Sequence, residues 1–214
     1  MTPVELALMI AGPSSLYKRR KKRGLTDRLG LTPDALPAGG NFYPEEDVLA
    51  MTVDRVADRA RCHTVVLGAG LTVPVLARAV DGRGGVTAIE SDGCRVRVTE
   101  AMLGEIGAEA RCIEVGLHEY DRHNLWYDRH CLDLLPEEID LLFLDGPGHF
   151  AGRTPRWPAG PELFTRLAPD AIVVLDDGRR VKEKKTLKRW AEDFPGLEQI
   201  KTDTSGGAVV LRPR

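Results

Sequence analysis

From residue 64 to residue 194, short apolar runs alternate with longer segments whose apolar residues recur at helical spacing. This alternation constrains the fold most, because parallel strands buried under helices on both faces produce it. The predicted strands are 64–67, 86–90, 111–115, 139–145 and 171–176, and the predicted helices are 72–80, 94–106, 161–167 and 182–194. Connections of this length favour parallel pairing with right-handed crossovers.

The C-terminal segment has a different pattern. Two apolar stretches, 197–202 and 208–211, flank the residues Asp203-Thr204-Ser205-Gly206-Gly207, which are typical of a hairpin turn. We therefore predict an α/β protein with a mostly parallel seven-stranded sheet, helices on both faces and an antiparallel C-terminal hairpin.

A breaker-rich stretch divides the chain near residue 40, where Pro33, Pro37, Gly39 and Gly40 cluster. We predict a leader, helical or flexible, over residues 1–40 and one larger domain over residues 41–214. Since proline suits the first turn of a helix, the larger domain is expected to begin with a helix from Pro44 to about residue 60.

The predicted leader is basic and the larger domain is acidic. Residues 1–40 hold seven Lys/Arg and three Asp/Glu, a charge of +4, so a whole-chain charge of -2 leaves -6 for the rest. One unbroken run supplies most of the positive charge: Lys18, Arg19, Arg20, Lys21, Lys22 and Arg23. Such a run binds nucleic-acid phosphates or an anionic membrane surface, or is a solvated helix face. The acidic domain argues against nucleic acid as the main partner.

The sequence has no apolar stretch of the roughly 18 to 20 residues that a membrane-spanning helix needs, and its first residues lack the order of a signal peptide. The cysteines, which contain no C-x-x-C pair, indicate neither a zinc site nor a disulfide framework; they are Cys62, Cys94, Cys112 and Cys131. We therefore expect a cytoplasmic protein with reduced thiols and no membrane span.

Ligands of open parallel sheets bind beyond the carboxyl ends of the strands. The first such position holds Gly68-Ala69-Gly70, whose glycines let a ligand approach the backbone, or which form only a tight turn. Glu90 ends the second strand, where a carboxylate binds both ribose hydroxyls or caps the next helix. Val73 replaces the third glycine of a dinucleotide fingerprint, which favours a nucleoside without a diphosphate.

The exits of the last two parallel strands are acidic. Asp145 ends one strand, and Asp176 and Asp177 end the next. These carboxylates would bind a hard divalent cation or accept a proton, unless they only end strands and pair with an arginine. His149, in the loop after Asp145, is a further candidate base.

Over roughly residues 41–212, the chain resembles the class I S-adenosylmethionine-dependent methyltransferases. The residues that carry the resemblance are Gly68-Ala69-Gly70, Glu90, Trp126-Tyr127-Asp128, Asp145-Gly146-Pro147, the stretch from Arg153 to Pro158, and Asp176-Asp177 with Arg179, Arg180 and Glu183. The resemblance implies a Rossmann-like methyltransferase fold and S-adenosylmethionine as cofactor.

In such enzymes the first loop holds the methionine part of the cofactor and the acidic residue holds the ribose. The cofactor-binding residues that this implies here are Gly68, Ala69, Gly70, Glu90, Ser91, Leu117 and Asp145. Val66 stands where many members have an acidic residue, and Gly116-Leu117-His118 replaces a polar residue after the third strand. Adenine recognition is therefore expected to rest on backbone and apolar groups.

Methyl transfer from a sulfonium is an in-line displacement, so the enzyme aligns the acceptor and removes its proton. We expect Asp145 beside the methionine end and His149 or Asp177 as proton acceptor. A small polar or anionic acceptor, methylated on oxygen or nitrogen, would contact Arg153, Arg156 and Trp157, unless these belong to a surface loop whose arginines pair with acids.

A partial similarity to metal-dependent O-methyltransferases makes Asp145, Asp176 and Asp177 candidate ligands of a divalent cation. Two other functions stay open. One is a nucleic-acid methyltransferase that grips phosphates through the basic run 18–23, with strong salt dependence. The other is a non-catalytic domain that binds the cofactor or a partner protein, because a fold alone does not prove an activity.

Overall fold

The computed structural model describes residues 24–32, 35–36 and 44–214. The basic run 18–23 and the breaker-rich boundary near residue 40 lie outside the described residues, so the division into leader and domain stays a prediction. The described part of the leader is helical over residues 24–28 and buries Leu25 and Leu29 in the main core. Arg78 Nε donates to Leu29 O at 3.2 Å, which joins this segment to the helix after the first strand.

A seven-stranded sheet forms the centre of the described structure, in the order β3-β2-β1-β6-β7-β9-β8. The strands, including a separate pair β4–β5, are β1 (Thr64–Leu67), β2 (Val86–Glu90), β3 (Arg111–Glu114), β4 (Leu117–Asp121), β5 (Asn124–Tyr127), β6 (Ile139–Leu144), β7 (Leu167–Leu175), β8 (Leu197–Lys201) and β9 (Val209–Pro213). All neighbours from β3 to β7 pair in parallel, whereas β9 pairs antiparallel with both β7 and β8. The predicted mostly parallel sheet with a C-terminal hairpin is confirmed.

Helices cover both faces of this sheet. They are α1 (Glu46–Val56), α2 (Thr72–Ala79), α3 (Gly93–Ile106), α4 (Ala159–Leu163) and α5 (Val181–Asp193). One core packs α1, α2 and α3 on one face, and a second core packs α4 and α5 on the other. Every residue of β1 and β6 is buried, as expected of strands between two helical layers. In the described part of the chain, no helix combines the length and apolar character that a bilayer span requires.

Two predictions about local structure are wrong. The helix predicted over 161–167 is α4 followed by a 3-10 turn, Phe164–Arg166, and Leu167 already begins β7 by pairing with Ile139. The predicted strands and helices include none between β3 and β6, yet this stretch forms the antiparallel hairpin of β4 and β5. Most of β4 is exposed or half-buried, so its composition lacks the apolar run by which the other strands are recognised.

The order of the strands reverses beside β1. The chain first moves outward from β1 through β2 to β3 and then returns to β6 on the other side of β1. The connections that leave the carboxyl ends of the strands therefore run in opposite directions on the two sides of β1. Open α/β sheets bind their ligands at such a reversal of strand order, called a topological switch point. The predicted site residues follow the strands that end here.

Candidate functional site

The glycine turn after β1 is shaped by a close approach to the end of β6. Gly68 has φ 101° and Gly70 has φ 136°, a region of backbone conformation that side chains disfavour. A Cβ on Gly68 would lie 3.0 Å from Gly146 N, and a Cβ on Gly146 would lie 2.9 Å from Gly68 N. Both positions therefore need glycine to let the two strand exits meet.

Glu90 joins this turn to the end of β2. Its carboxylate, which is only 5% exposed, accepts a hydrogen bond from Ala69 N at 3.0 Å through Oε2. Oε1 accepts from the backbone N–H groups of Ser91 and Asp92, at 2.6 and 3.0 Å, and from Ser91 Oγ at 3.2 Å. The structure thus brings Gly68, Ala69, Glu90 and Ser91 together, and Glu90 also satisfies N–H groups ahead of α3.

Arg95, on α3, holds the other side of the same turn. Its Nη2 donates to Ala69 O at 2.9 Å, and its Nε lies 3.5 Å from Glu90 Oε2. Both polar groups of Ala69 are therefore used, the N–H by a carboxylate and the carbonyl by a guanidinium. Sequence reasoning missed Arg95, although its position one turn into the helix after Glu90 is a signal for such a contact.

Tyr127, at the end of β5, is a second residue that sequence reasoning left without a role of its own. Its side chain is 2% exposed, and its hydroxyl has no hydrogen-bond partner among the described residues. Burial is the largest cause that raises the pKa of this phenol well above 10, and the nearby charge of Glu90 raises it further. A Cβ on Gly146 would come within 2.5 Å of the Tyr127 oxygen, which places the hydroxyl at the exits of β1 and β6.

Beyond β6 and β7, three carboxylates gather. Asp145, Asp176 and Asp177 each offer an oxygen, and these oxygens lie within 4.8 Å of one another. Burial raises the pKa of Asp145, with Arg156 opposing the shift. Burial, followed by the charges of Asp145 and Asp177, raises the pKa of Asp176 to about 7. Asp177 has φ 58° and donates its N–H to Asp176 Oδ1 at 2.8 Å.

Arg156 lies inside this cluster and is 3% exposed. Its Nη2 donates to Asp145 Oδ1 at 3.0 Å, and its Nη1 donates to Asp176 O at 2.9 Å. The structure therefore directs Arg156 into the carboxylates instead of into an open acceptor pocket. Because a guanidinium already lies among the three aspartates, they do not fit a divalent cation as they stand.

The other two predicted acceptor residues point elsewhere. Trp157, half-buried in the turn before α4, packs against α5: its Nε1 donates to Asp193 Oδ2 at 2.9 Å, and Arg189 covers its ring at 3.4 Å from the centroid. Tyr120 packs edge-on against the same ring. Arg153 is exposed at the surface. Trp157 is thus part of the packing between α5 and the hairpin.

His149 is exposed in the loop after β6. Lys182 Nζ donates to His149 O and to Gly152 O, each at 2.6 Å, and so ties this loop to the start of α5. Phe150 is 74% exposed beside His149, and Val181 is 67% exposed beside Lys182. The two loops that flank the aspartates therefore carry exposed apolar side chains.

The hairpin β4–β5 returns the chain to the exit of β3. Asp128 N donates to Gly116 O at 3.0 Å, so an acidic residue stands beside the position where the sequence alone lacks one. Leu117, half-buried, pairs with Tyr127 within the hairpin. A cleft of about 750 Å³ opens along the hairpin; its lining residues include Tyr120, Trp126, Tyr127, Asp128 and Glu162.

No protein-family model matches the sequence, and no curated protein matches it. Solved methyltransferase structures, in contrast, match it along most of its length. An O-methyltransferase from Bacillus cereus in complex with SAH is 13% identical, covering 98% of this chain and 96% of that chain with a TM-score of 0.59. An SAH-bound methyltransferase from Podospora anserina is 11% identical, covering 89% and 88% with a TM-score of 0.60.

A methyltransferase from Pyrococcus furiosus is 16% identical, covering 76% of this chain and 80% of that chain with a TM-score of 0.52. At these identities the comparisons establish the fold. The predicted Rossmann-like methyltransferase fold is confirmed.

Proposed function

We propose that the chain binds S-adenosylmethionine beyond the ends of β1, β2 and β6 and transfers its methyl group to a small molecule. The observation that carries this proposal is the hydrogen bond from Ala69 N to Glu90 Oε2. This hydrogen bond joins a buried carboxylate at the end of β2 to the glycine turn after β1, the two parts that would contact the ribose and the rest of the cofactor. The fold shared with SAH-bound methyltransferases supports the same choice.

Glu90 and Ser91 fit a ribose. Oε2 accepts a hydrogen bond from Ala69 N and lies 3.5 Å from Arg95 Nε, so a ribose hydroxyl would share this oxygen with both groups. Oε1 accepts its longest hydrogen bond, at 3.2 Å, from the Ser91 hydroxyl, which rotates freely enough to be exchanged for a ribose hydroxyl. The unpaired Tyr127 hydroxyl offers a buried donor next to the turn of Gly68 and Gly146.

The adenine would lie between Leu117 and Asp128. Leu117 offers an apolar surface, as expected from the sequence. Asp128, held beside Gly116 by the hairpin, adds the polar acceptor that the stretch after β3 lacks. We therefore extend the predicted cofactor-binding set by Tyr127 and Asp128.

When bound, S-adenosylmethionine supplies a methyl group on a positively charged sulfur. Asp145 lies beside the glycine turn, because its N–H donates to Leu67 O at 2.9 Å, and would border the methionine end. Asp177 is better placed than His149 to accept a proton, since a carboxylate oxygen of Asp177 lies within 4.8 Å of one of Asp145. The residues would thus align the acceptor and remove its proton.

The acceptor would contact the two loops beyond β6 and β7. Phe150 and Val181 offer apolar surface there, and Arg153 is exposed nearby in sequence. This arrangement suits a small acceptor that combines an apolar face with a hydroxyl or amine. Such an acceptor differs from the small polar or anionic one that Arg153, Arg156 and Trp157 led us to expect.

Calorimetric titration with S-adenosylmethionine and S-adenosylhomocysteine tests the cofactor proposal. We expect Glu90→Ala to lose at least about tenfold in affinity, because two ribose hydrogen bonds to a carboxylate are lost. Glu105→Ala, at an exposed glutamate near the end of α3, is the control and should bind as the natural chain does. Equal affinity in Glu90→Ala and Glu105→Ala is the outcome that counts against the proposal.

Methyl transfer itself is tested separately, by following S-adenosylhomocysteine release with a panel of small phenols and amines. Release that depends on Asp177 supports the proposed reaction. Tight cofactor binding without release from any acceptor would favour the non-catalytic alternative.

A further inference from the structure

The carboxylates after β6 and β7 converge on an arginine that comes from neither strand. The three aspartate oxygens, within 4.8 Å of one another, have the spacing of oxygen ligands around one hard cation. Arg156 Nη2 lies 3.0 Å from Asp145 Oδ1 and 4.0 Å from Asp177 Oδ2. Positive charge of the chain itself is therefore already in place where these carboxylates meet: the buried Arg156 beside Asp145, and the half-exposed Arg180, whose Nη1 lies 2.8 Å from Asp177 Oδ2.

Both terminal nitrogens of the guanidinium are used within the cluster, whereas its buried Nε has no hydrogen-bond partner among the described residues. Nη2 donates to Asp145 O at 2.7 Å, Nη1 donates to Asp176 O at 2.9 Å, and Nη1 lies 3.8 Å from Glu183 Oε1. One planar group thus contacts the ends of two neighbouring strands and the first turn of α5. Because the fork of an arginine is rigid and keeps its charge at all ordinary pH values, this arrangement fixes both position and charge.

We propose that Arg156 is the resident cation of this aspartate cluster and that it excludes a divalent metal from it. A metal bound to the same oxygens would lie within a few ångströms of the guanidinium, in a buried place where like charges repel with little screening. The three predicted metal ligands therefore serve an internal ion network. This inference does not depend on methyl transfer, because it concerns only which cation the carboxylates hold.

An arginine that merely braces two strands and an arginine that replaces a metal differ in one respect. Removing an arginine that only braces the strands would weaken the fold without creating a metal site. Removing an arginine that replaces a metal would leave the three aspartates spaced for a cation but without their buried positive charge. A metal ion should then bind there.

The test measures Mn²⁺ binding to the full chain by electron paramagnetic resonance and calorimetry, in buffer freed of other metals. The natural chain should show no stoichiometric binding below about 1 mM, the weak end of the range for oxygen sites. Arg156→Ala should bind one Mn²⁺ at least about tenfold more tightly than the natural chain, with a rise in melting temperature. Arg153→Ala, an exposed arginine of the same loop, is the matched control and should behave as the natural chain.

Two further measurements locate the bound ion. Asp177→Asn in the Arg156→Ala background should abolish the gained Mn²⁺ binding, because one of the charged ligands is lost. Millimolar guanidinium chloride should compete with Mn²⁺ for Arg156→Ala, since the free ion would return to the place of the missing side chain.

The inference is overturned if the natural chain binds one Mn²⁺ that Asp177→Asn removes, or if folded Arg156→Ala gains no binding. Should Arg156→Ala fail to fold alone, it is refolded with Mn²⁺ or with millimolar guanidinium chloride. Recovery with Mn²⁺ supports the inference, whereas recovery with guanidinium alone, or with neither ion, overturns it.

Discussion

Two carboxylate sites lie at the same edge of the sheet, and their charges are stabilised in different ways. Glu90, after β2, accepts hydrogen bonds from the N–H groups of Ala69, Ser91 and Asp92. Asp145, after β6, is held by the guanidinium of Arg156. Backbone amides supply most of the hydrogen bonds to the first site, where Arg95 Nε also lies 3.5 Å from Glu90 Oε2, whereas the second site depends mainly on the guanidinium of Arg156.

The difference shows how far each site depends on a single side chain. The donors to Glu90 are its own neighbours and the turn after β1, which any chain with this strand order brings close. The cluster around Asp145 depends on Arg156, eleven residues further along, and on Glu183 in another element. Most substitutions leave the backbone N–H donors in place, whereas a single substitution of Arg156 removes the guanidinium.

The largest expected effect comes from Arg156→Ala. Breaking a buried ion pair leaves charges without a partner, and the free energy of unfolding should fall by about 3 to 5 kcal/mol. Denaturant unfolding in metal-free buffer measures the loss. Arg153→Ala, on the surface, should stay within about 0.5 kcal/mol of the natural chain. An equal, small loss in both variants would mean that the two carboxylate sites do not differ in this way.

A pH titration of stability sharpens the comparison. The pKa of Asp176 is raised from 3.8 to about 7, so the folded chain keeps a proton that the unfolded chain has released. The free energy of unfolding should therefore fall as the pH rises from about 4 to about 7, by up to about 1.4 kcal/mol per pH unit.

Asp176→Asn, which cannot titrate, is the matched variant for this measurement. It should flatten the fall between pH 4 and pH 7, apart from the part due to the likewise raised pKa of Asp145. An unchanged slope in Asp176→Asn would assign the pH dependence to other groups.

The same contrast explains what could be predicted from the sequence. Strands β1 and β2 were predicted with their observed bounds, because both are short, continuous and apolar. The hairpin β4–β5 was missed, because every residue of β4 is exposed or half-buried and the strand has no apolar run. The position of Asp128 beside Gly116 was therefore not predicted either, because it depends on the hairpin that brings the chain back to the end of β3.

Within the site, Glu90 and the glycine turn were predictable from spacing along the chain, since consecutive βα units bring them together. The aspartates were also found from their positions after β6 and β7. The contact between the Arg156 side chain and these aspartates was not predicted, because a loop residue can face either solvent or the cluster. Only the packing of that loop directs it inward, where it is 3% exposed.

The glycine turn gives the next effect in size. Gly146→Ala would place a Cβ 2.5 Å from the Tyr127 oxygen and 2.9 Å from Gly68 N. We expect a loss of about 1 to 3 kcal/mol in the free energy of unfolding, together with weaker S-adenosylmethionine binding. Gly104→Ala, whose Cβ would meet nothing within 4 Å in the last turn of α3, should be neutral or stabilising. A neutral Gly146→Ala would show that the exits of β1 and β6 are less tightly apposed than described.

The smallest effect separates stability from binding. Tyr127→Phe removes a buried hydroxyl without a partner in the described structure, so the cofactor-free chain should keep its stability or gain up to about 1 kcal/mol. If that hydroxyl donates to the bound cofactor, the same variant should bind S-adenosylmethionine several-fold more weakly. Melting and calorimetric titration of one preparation would show the two opposite signs. If Tyr127→Phe lowers both the stability and the affinity, the hydroxyl already supports the fold of the cofactor-free chain. Glu90 and the glycine turn would then form the cofactor site without it.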